Sequence, residues 1–319
     1  MTAAATAAAA AAAAAAGVIR VGTASWTDKT LIACGRFYPK GASTAEARLR
    51  HYASQFPIVE VDSSYYAMPK PATAQLWAER TPTGFTMNVK AFRIFTGHPT
   101  EAKVLDPDLR AAMASSVPQT RFFYGDVPAE IAAELWRRFR EALLPLRAAG
   151  RLGLVHFQFP PWVVCDGPGR ALVTHCIERM AGHDCSVEFR HRSWFAGAEA
   201  ATTILFLREL VAAHTVVDGP QGFSNSVPAL WKATHPRFAL VRLHGRNRAT
   251  WNVRGTSASD RFNYDYPDGE LAELVPGIER LALTAMQTHV IFNNNMEDQG
   301  QRNARTLTGL LAGRRFAAS

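Results

Sequence analysis

The chain has 319 residues, 48% of them hydrophobic, so it can fill one large core, and a barrel of about 250 residues fits it as well as two domains do. Its formal charge of +8 and pI near 9.6 admit a phosphate-bearing partner, although the bias of an Ala- and Arg-rich composition is the slightly better account. Cys34, Cys165, Cys176 and Cys185 form no C-x-x-C pair and no regular framework, which argues against a disulfide scaffold or a Cys-type zinc site and makes a reducing cytoplasm the default.

Residues 1–17, MTAAATAAAAAAAAAAG, lack the basic start and bulky apolar stretch of a secretory signal. They read as a low-complexity tail, disordered or helical, ahead of one domain over 18–319. No later run of about 20 apolar residues indicates a membrane span.

From Val18 onward, short apolar runs ending in polar residues alternate with segments of helical periodicity, the pattern of repeated βα units. The runs are VIRVGTASW (18–26), PIVEVDSSYY (57–66), FTMNVKAF (85–92), LGLVHFQFP (152–160), SVEFRHRSW (186–194), TVVDGP (215–220), FALVRLHGR (238–246) and HVIFNNN (289–295). Helices are predicted over 43–56, 128–150, 201–214, 270–285 and 301–312; the first starts at a Ser/Thr cap, the second at a proline. With seven connections of helix-bearing length, these runs predict a single (β/α)8 TIM-like barrel. A doubly wound open sheet is the alternative, but no glycine-rich dinucleotide fingerprint follows the first strand. Long irregular stretches at 98–109, 160–169 and 245–269 follow strands, so they would rim the ligand-binding face.

Residue parity then selects candidates, because alternate side chains of a barrel strand face the axis or the helices. Glu60 with Asp62, Asn88 with Lys90, His156 with Gln158, Glu188 with Arg190, and Arg242 with His244 each sit two apart among apolar residues. The polar set would converge on the axis near the carboxyl ends of the strands. Buried charges are costly unless paired, and the signs nearly balance: Glu60, Asp62, Glu188 and Asp218 against Lys90, Arg190, Arg242 and Arg246. Mutual neutralisation in the barrel interior is the plain structural reading of any one pair, but convergence from many strands favours a site.

Lys90, Arg190 and Arg242 offer donors to a carboxylate or phosphate. Glu188, Glu60 and His244 are the candidate proton-transfer groups, provided desolvation raises the carboxyl pKa toward neutrality. Gln158, Asp218 and the first of three asparagines, Asn293, would complete the ligand contacts, with Trp194 as a pocket wall. No cofactor is required. A divalent metal on Glu60, His156, Glu188, Asp218 and His244 ranks second, since the interleaved Lys and Arg would repel it. No H-E-x-x-H, G-x-S-x-G or phosphate-loop motif is present.

The ordered set VGTASW, FYP, YASQFPIVEVDSSYY, FTMNVKAF, LGLVHFQFPP, VEFRHRSW, VRLHGR and FNNN resembles the DUF72, or YecE-like, family and spans nearly everything after residue 17. The resemblance implies a TIM-barrel-like fold and a polar pocket, matched here by Glu60, Lys90, Gln158, Glu188, Arg190, Trp194, Arg242, His244, Gly245 and Asn293. It implies no reaction. In FTGHP (95–99) this chain departs from the family, where many members have Thr directly followed by His; the interposed Gly97 leaves the place of His98 open. A structural similarity to endonuclease IV, suggested within the family, would imply DNA processing, but the three-zinc histidine and carboxylate set of that enzyme is not evident here.

Three functions follow as expectations. The first is binding, with acid/base transformation, of a small anionic molecule at the barrel mouth. The second is nucleic-acid binding through a basic rim of Arg246, Arg248, Arg254 and Arg261, and the third is a non-catalytic ligand sensor. Oligomeric state is open.

Overall fold

The computed structural model describes residues 17–116, 120–253 and 257–317, so the Ala-rich tail before Gly17 and Arg254 of the basic rim lie outside the described residues. Eight strands, each overlapping one of the predicted runs, close a parallel barrel: β1 (Val18–Ala24), β2 (Ile58–Val61), β3 (Thr86–Lys90), β4 (Leu152–Gln158), β5 (Cys185–Glu188), β6 (Ala213–Asp218), β7 (Phe238–Leu243) and β8 (Gln287–Phe292). Each strand lies beside its sequence neighbours, and β1 closes on β8 in a register running from Val18 opposite Gln287 to Thr23 opposite Phe292.

The helices form for local reasons that the sequence carries. Thr44 caps Ala45–Gln55 by accepting from the Ala47 amide at 3.0 Å. The helix Ala129–Ala148 buries Ile131, Leu135, Trp136, Phe139, Leu143 and Leu146 at helical spacing against the strands, and the chain turns out of it at Gly150, whose φ is +65°. Helices at Pro71–Glu79, Pro107–Ser116 and Gly167–Arg179 add to those expected. The Pro107 helix begins inside a stretch read as irregular, and a two-residue antiparallel pair, Thr100–Glu101 with Arg121–Phe122, braces the same β3–β4 connection.

Not every crossover carries a helix. Residues 219–237, between β6 and β7, run irregularly, and their sequence explains why: Pro220, Gly222, Pro228 and Pro236 interrupt any helical run. Trp231 fills the space instead, lying so close to Gly277 of the helix Asp268–Ala282 that an added Cβ would meet its ring at 2.4 Å. The expected 201–214 helix also stops early. It ends at Glu209, Val211 takes a positive φ of 51°, and β6 begins at Ala213.

Parity divides the strands as expected. Val59, Val61, Met87, Val89, Val155, Phe157, Val187, Val241 and Leu243 join the helix-side core, whereas Ala24, Ile58, Leu154, Ala213, Phe238, Leu240 and Ile291 form a separate apolar plug within the barrel. Beside the plug Asn88 Oδ1 accepts from the Leu154 amide and pairs with His289 Nδ1, both at 3.0 Å. This contact needs the register shift between β3 and β4 and needs Gly153, where a Cβ would approach Asn88 Oδ1 to 2.5 Å.

Candidate functional site

Two residues beyond the plug, toward the carboxyl ends of the strands, Ile58 gives way to Glu60, Leu154 to His156, Leu240 to Arg242 and Ile291 to Asn293. Arg242, fully buried, stands at the centre. It donates to Glu60 at 2.6 Å, to Glu188 at 2.7 Å, to Gln158 at 3.1 Å and to Asn293 at 3.4 Å. Glu188 is drawn on from all sides: Arg190 Nη1 lies 3.0 Å and His244 Nε2 3.2 Å from one oxygen, and His156 Nε2 lies 3.4 Å from the other. Asn293 Nδ2 donates to His244 Nδ1 at 2.9 Å, so the network assigns the imidazole proton to Nε2, facing Glu188.

These surroundings set the protonation states. Burial alone would raise the Glu188 pKa, but the charges of Arg242 and Arg190, with the His244 and His156 imidazoles facing it, outweigh that and hold the carboxyl well below its ordinary range. Burial, reinforced by Arg190, depresses His244 to about 3 despite the opposing pull of Glu188. The condition set for Glu188 as a general acid or base, a pKa raised toward neutrality, is therefore not met. Glu60, Glu188, Arg242 and His244 are at most 1% exposed and make a sealed floor.

The cleft opens above that floor. It has a volume of about 450 Å³, and its lining includes Asp62, Tyr65, Tyr66, Lys90, His98, Gln158, Trp162, Arg190, Arg261, Phe262 and Asn293. Among the described residues it presents three fixed cations, Lys90, Arg190 and Arg261, against one carboxylate, Asp62. Lys90 Nζ donates to Asp62 at 2.9 Å and sits 4.5 Å from the centroid of the Tyr65 ring. Burial lowers the pKa of Arg190, as do the neighbouring Arg242 and Arg261, against the attraction of Glu188. Burial depresses His98 to about 3, and Lys90, Arg93 and Arg190 each push the same way.

Lys90, Gln158, Arg190 and Asn293 thus line the cleft, and Glu60, Glu188, His244 and Arg242 lie beneath it. Two expected contacts are elsewhere. Asp218 registers with Leu243 on the helix side of the barrel, where it binds Arg246 at 2.9 Å and accepts from the Tyr266 hydroxyl at 2.7 Å. Trp194 is not a pocket wall: it is fully buried, stacks on Phe189 at 3.8 Å, and donates to the Val163 carbonyl at 2.9 Å. Asp62 shares the parity of Glu60 and was legible, whereas Tyr65, Tyr66 and His98 sit in irregular or short helical segments where alternation gives no guidance.

The rim shows where its arginines are engaged. Arg246 is spent on Asp218, Arg248 donates to the Gln221 carbonyl, and only Arg261 of the described three lines the cleft. Among the described residues no group of three or more His, Cys, Asp or Glu side chains is arranged to hold a metal ion. Between Glu60 and Glu188 stands the Arg242 guanidinium. No helix among the described residues is long and apolar enough to cross a membrane.

Fold and site together define an α/β barrel protein of the TIM type with a polar, ligand-sized cleft at the carboxyl ends of its strands. The chain belongs to the DUF72 family: the model described as "Protein of unknown function DUF72" matches residues 20–318. It is 30% identical over 298 residues to the UPF0759 protein YunF of Bacillus subtilis (strain 168), covering 92% of this chain and 95% of that one. A DUF72 family protein of Enterococcus faecalis V583 superposes with a TM-score of 0.75 at 24% identity, covering 92% of this chain and 96% of the other. One of Thermotoga maritima MSB8 superposes with a TM-score of 0.71, also at 24%, covering 92% and 99%. At that identity the structural likeness speaks for the fold alone.

Proposed function

We propose that this protein binds a small anionic molecule, a carboxylate or phosphate, in the cleft at the carboxyl end of the barrel. The observation that carries the reading is that the cleft lining presents three fixed cations against one carboxylate, so that a net positive charge remains even after the surplus glutamate of the floor is set against Arg190. Arg190 and Lys90 hold the anion, and Arg261 closes the rim. Glu60, Glu188, His244 and Arg242 act as positioning residues: Glu188 fixes Arg190, and Arg242 fixes Glu188 and Gln158. Glu60 and Glu188, sealed beneath the cleft, do not face the ligand.

Calorimetric titration with inorganic phosphate and with malonate at low salt tests this. Binding to the wild type that weakens at least about ten-fold in Arg261→Ala and in Lys90→Met, with Arg248→Ala unchanged, is the expected result. Equal affinity in all four proteins would overturn the assignment of the cleft.

A further inference from the structure

The cleft is built for more than an anion. One wall is a run of rings in edge-to-face contact: Tyr66 against Tyr65 at 5.0 Å and 89°, Tyr65 against His98 at 5.3 Å and 84°, and His98 against Trp162 at 5.6 Å and 68°. Lys90 and Arg93 sit over the Tyr65 ring, but the end rings remain open, Tyr66 at 50% and Trp162 at 57% exposure. Large apolar faces left bare on a polar concave wall are contact surface for a ligand. Their successive steep tilts make a stepped wall rather than a flat slot, so they suit a puckered ring with C–H groups better than a planar base.

Hydrogen-bonding capacity points the same way. The Thr96 hydroxyl donates to the Arg93 carbonyl at 3.0 Å and must therefore accept from His98 Nδ1, 2.9 Å away, which leaves His98 Nε2 an unprotonated acceptor with no partner among the described residues. An ionised oxygen has no proton to offer a lone pair; a hydroxyl has. Asp62 is a second acceptor, with Lys90 bonded to one oxygen. Gln158 spends its carbonyl on Arg242 and keeps its amide N–H groups free among the described residues. Inorganic phosphate can offer these acceptors no more than its own P–OH groups, and it leaves most of the roughly 450 Å³ to water.

Resting on the anion-binding reading above, we propose that the ligand is a monosaccharide-sized polyol bearing one anionic group. Its hydroxyls meet His98, Asp62 and Gln158, its C–H face lies on Trp162, and its charge is held by Lys90 and Arg190. That charge is a phosphate or a carboxylate, and the test separates them.

Calorimetric titrations of the full chain would use inorganic phosphate, glucose, glucose 6-phosphate, gluconate and adenosine monophosphate. The expected result is that glucose 6-phosphate or gluconate binds at least about ten-fold tighter than both phosphate and glucose, the tighter of the two identifying the anionic group. Trp162→Ala, at an exposed position, then weakens that polyol about ten-fold and leaves phosphate within about two-fold. Polyols no tighter than phosphate, or adenosine monophosphate tighter than both polyols, would overturn this inference while leaving anion binding intact. Absence of binding by every anion would overturn both.

Discussion

Replacing Arg242 by Met probes the floor directly. The substitution removes a fully buried guanidinium that is bonded at 2.6 Å to Glu60 and 2.7 Å to Glu188, both carboxylates themselves 0% exposed. Glu188 would retain Arg190 and His244, but Glu60 would lose its hydrogen-bonding partner among the described residues. Taking one partner from a buried ion pair costs about 3–5 kcal/mol, because the remaining charge stays desolvated and unmatched. Urea unfolding of wild type and variant at pH 7.5, compared at equal m-values, should give a loss in that range. The double variant Arg242→Met/Glu60→Gln should recover about 1 kcal/mol or more of it, since the orphaned charge is gone. A loss below about 1 kcal/mol, or a double variant less stable than the single, would refute the claim that Arg242 compensates the two glutamates.

Two further outcomes follow from the same structure. Burial depresses His214 to about 4, below the roughly 6.5 of an unfolded histidine, so the unfolded state binds more protons between those values and stability falls as pH drops through that window. His214→Phe should therefore lose about 2 kcal/mol less than wild type between pH 7 and pH 5 in chemical denaturation, and an unchanged slope would contradict the buried neutral imidazole. Trp194→Ala should cost about 3–5 kcal/mol in stability as a core truncation, while the folded fraction keeps wild-type anion affinity; lost affinity at full stability would return Trp194 to the site.

The barrel was legible because parity alternates through Ile58–Glu60, Asn88–Lys90, Ser186–Glu188 and Leu240–Arg242, and the same alternation carried the floor network. It failed where the polar residues of a strand fall on both parities and set no single phase. In TVVD, Thr215 pairs with the plug residue Leu240, yet Asp218 falls on the opposite parity, beside Leu243, and charge alone had suggested the axis. Trp194 lies past the end of β5, where the Arg192–Phe195 turn cancels strand alternation. The electrostatic surroundings of Glu188 and His244 were illegible for a different reason. The sequence shows that charges converge, but not that four cationic or imidazole groups converge on one carboxylate and hold its pKa down. Trp162 was among the tryptophans that could line a pocket, but its assembly into a wall with Tyr65, Tyr66 and His98 was not legible, because the four come from three separate connections that meet only in three dimensions.

The central claim is that the cleft, not the rim, receives the anion. A crystal of the protein soaked in selenate, with anomalous differences measured at the selenium edge, tests it most directly. The account predicts a peak within hydrogen-bonding reach of Lys90 Nζ and the Arg190 guanidinium; peaks confined to outer arginines such as Arg248, with none in the cleft, would contradict it.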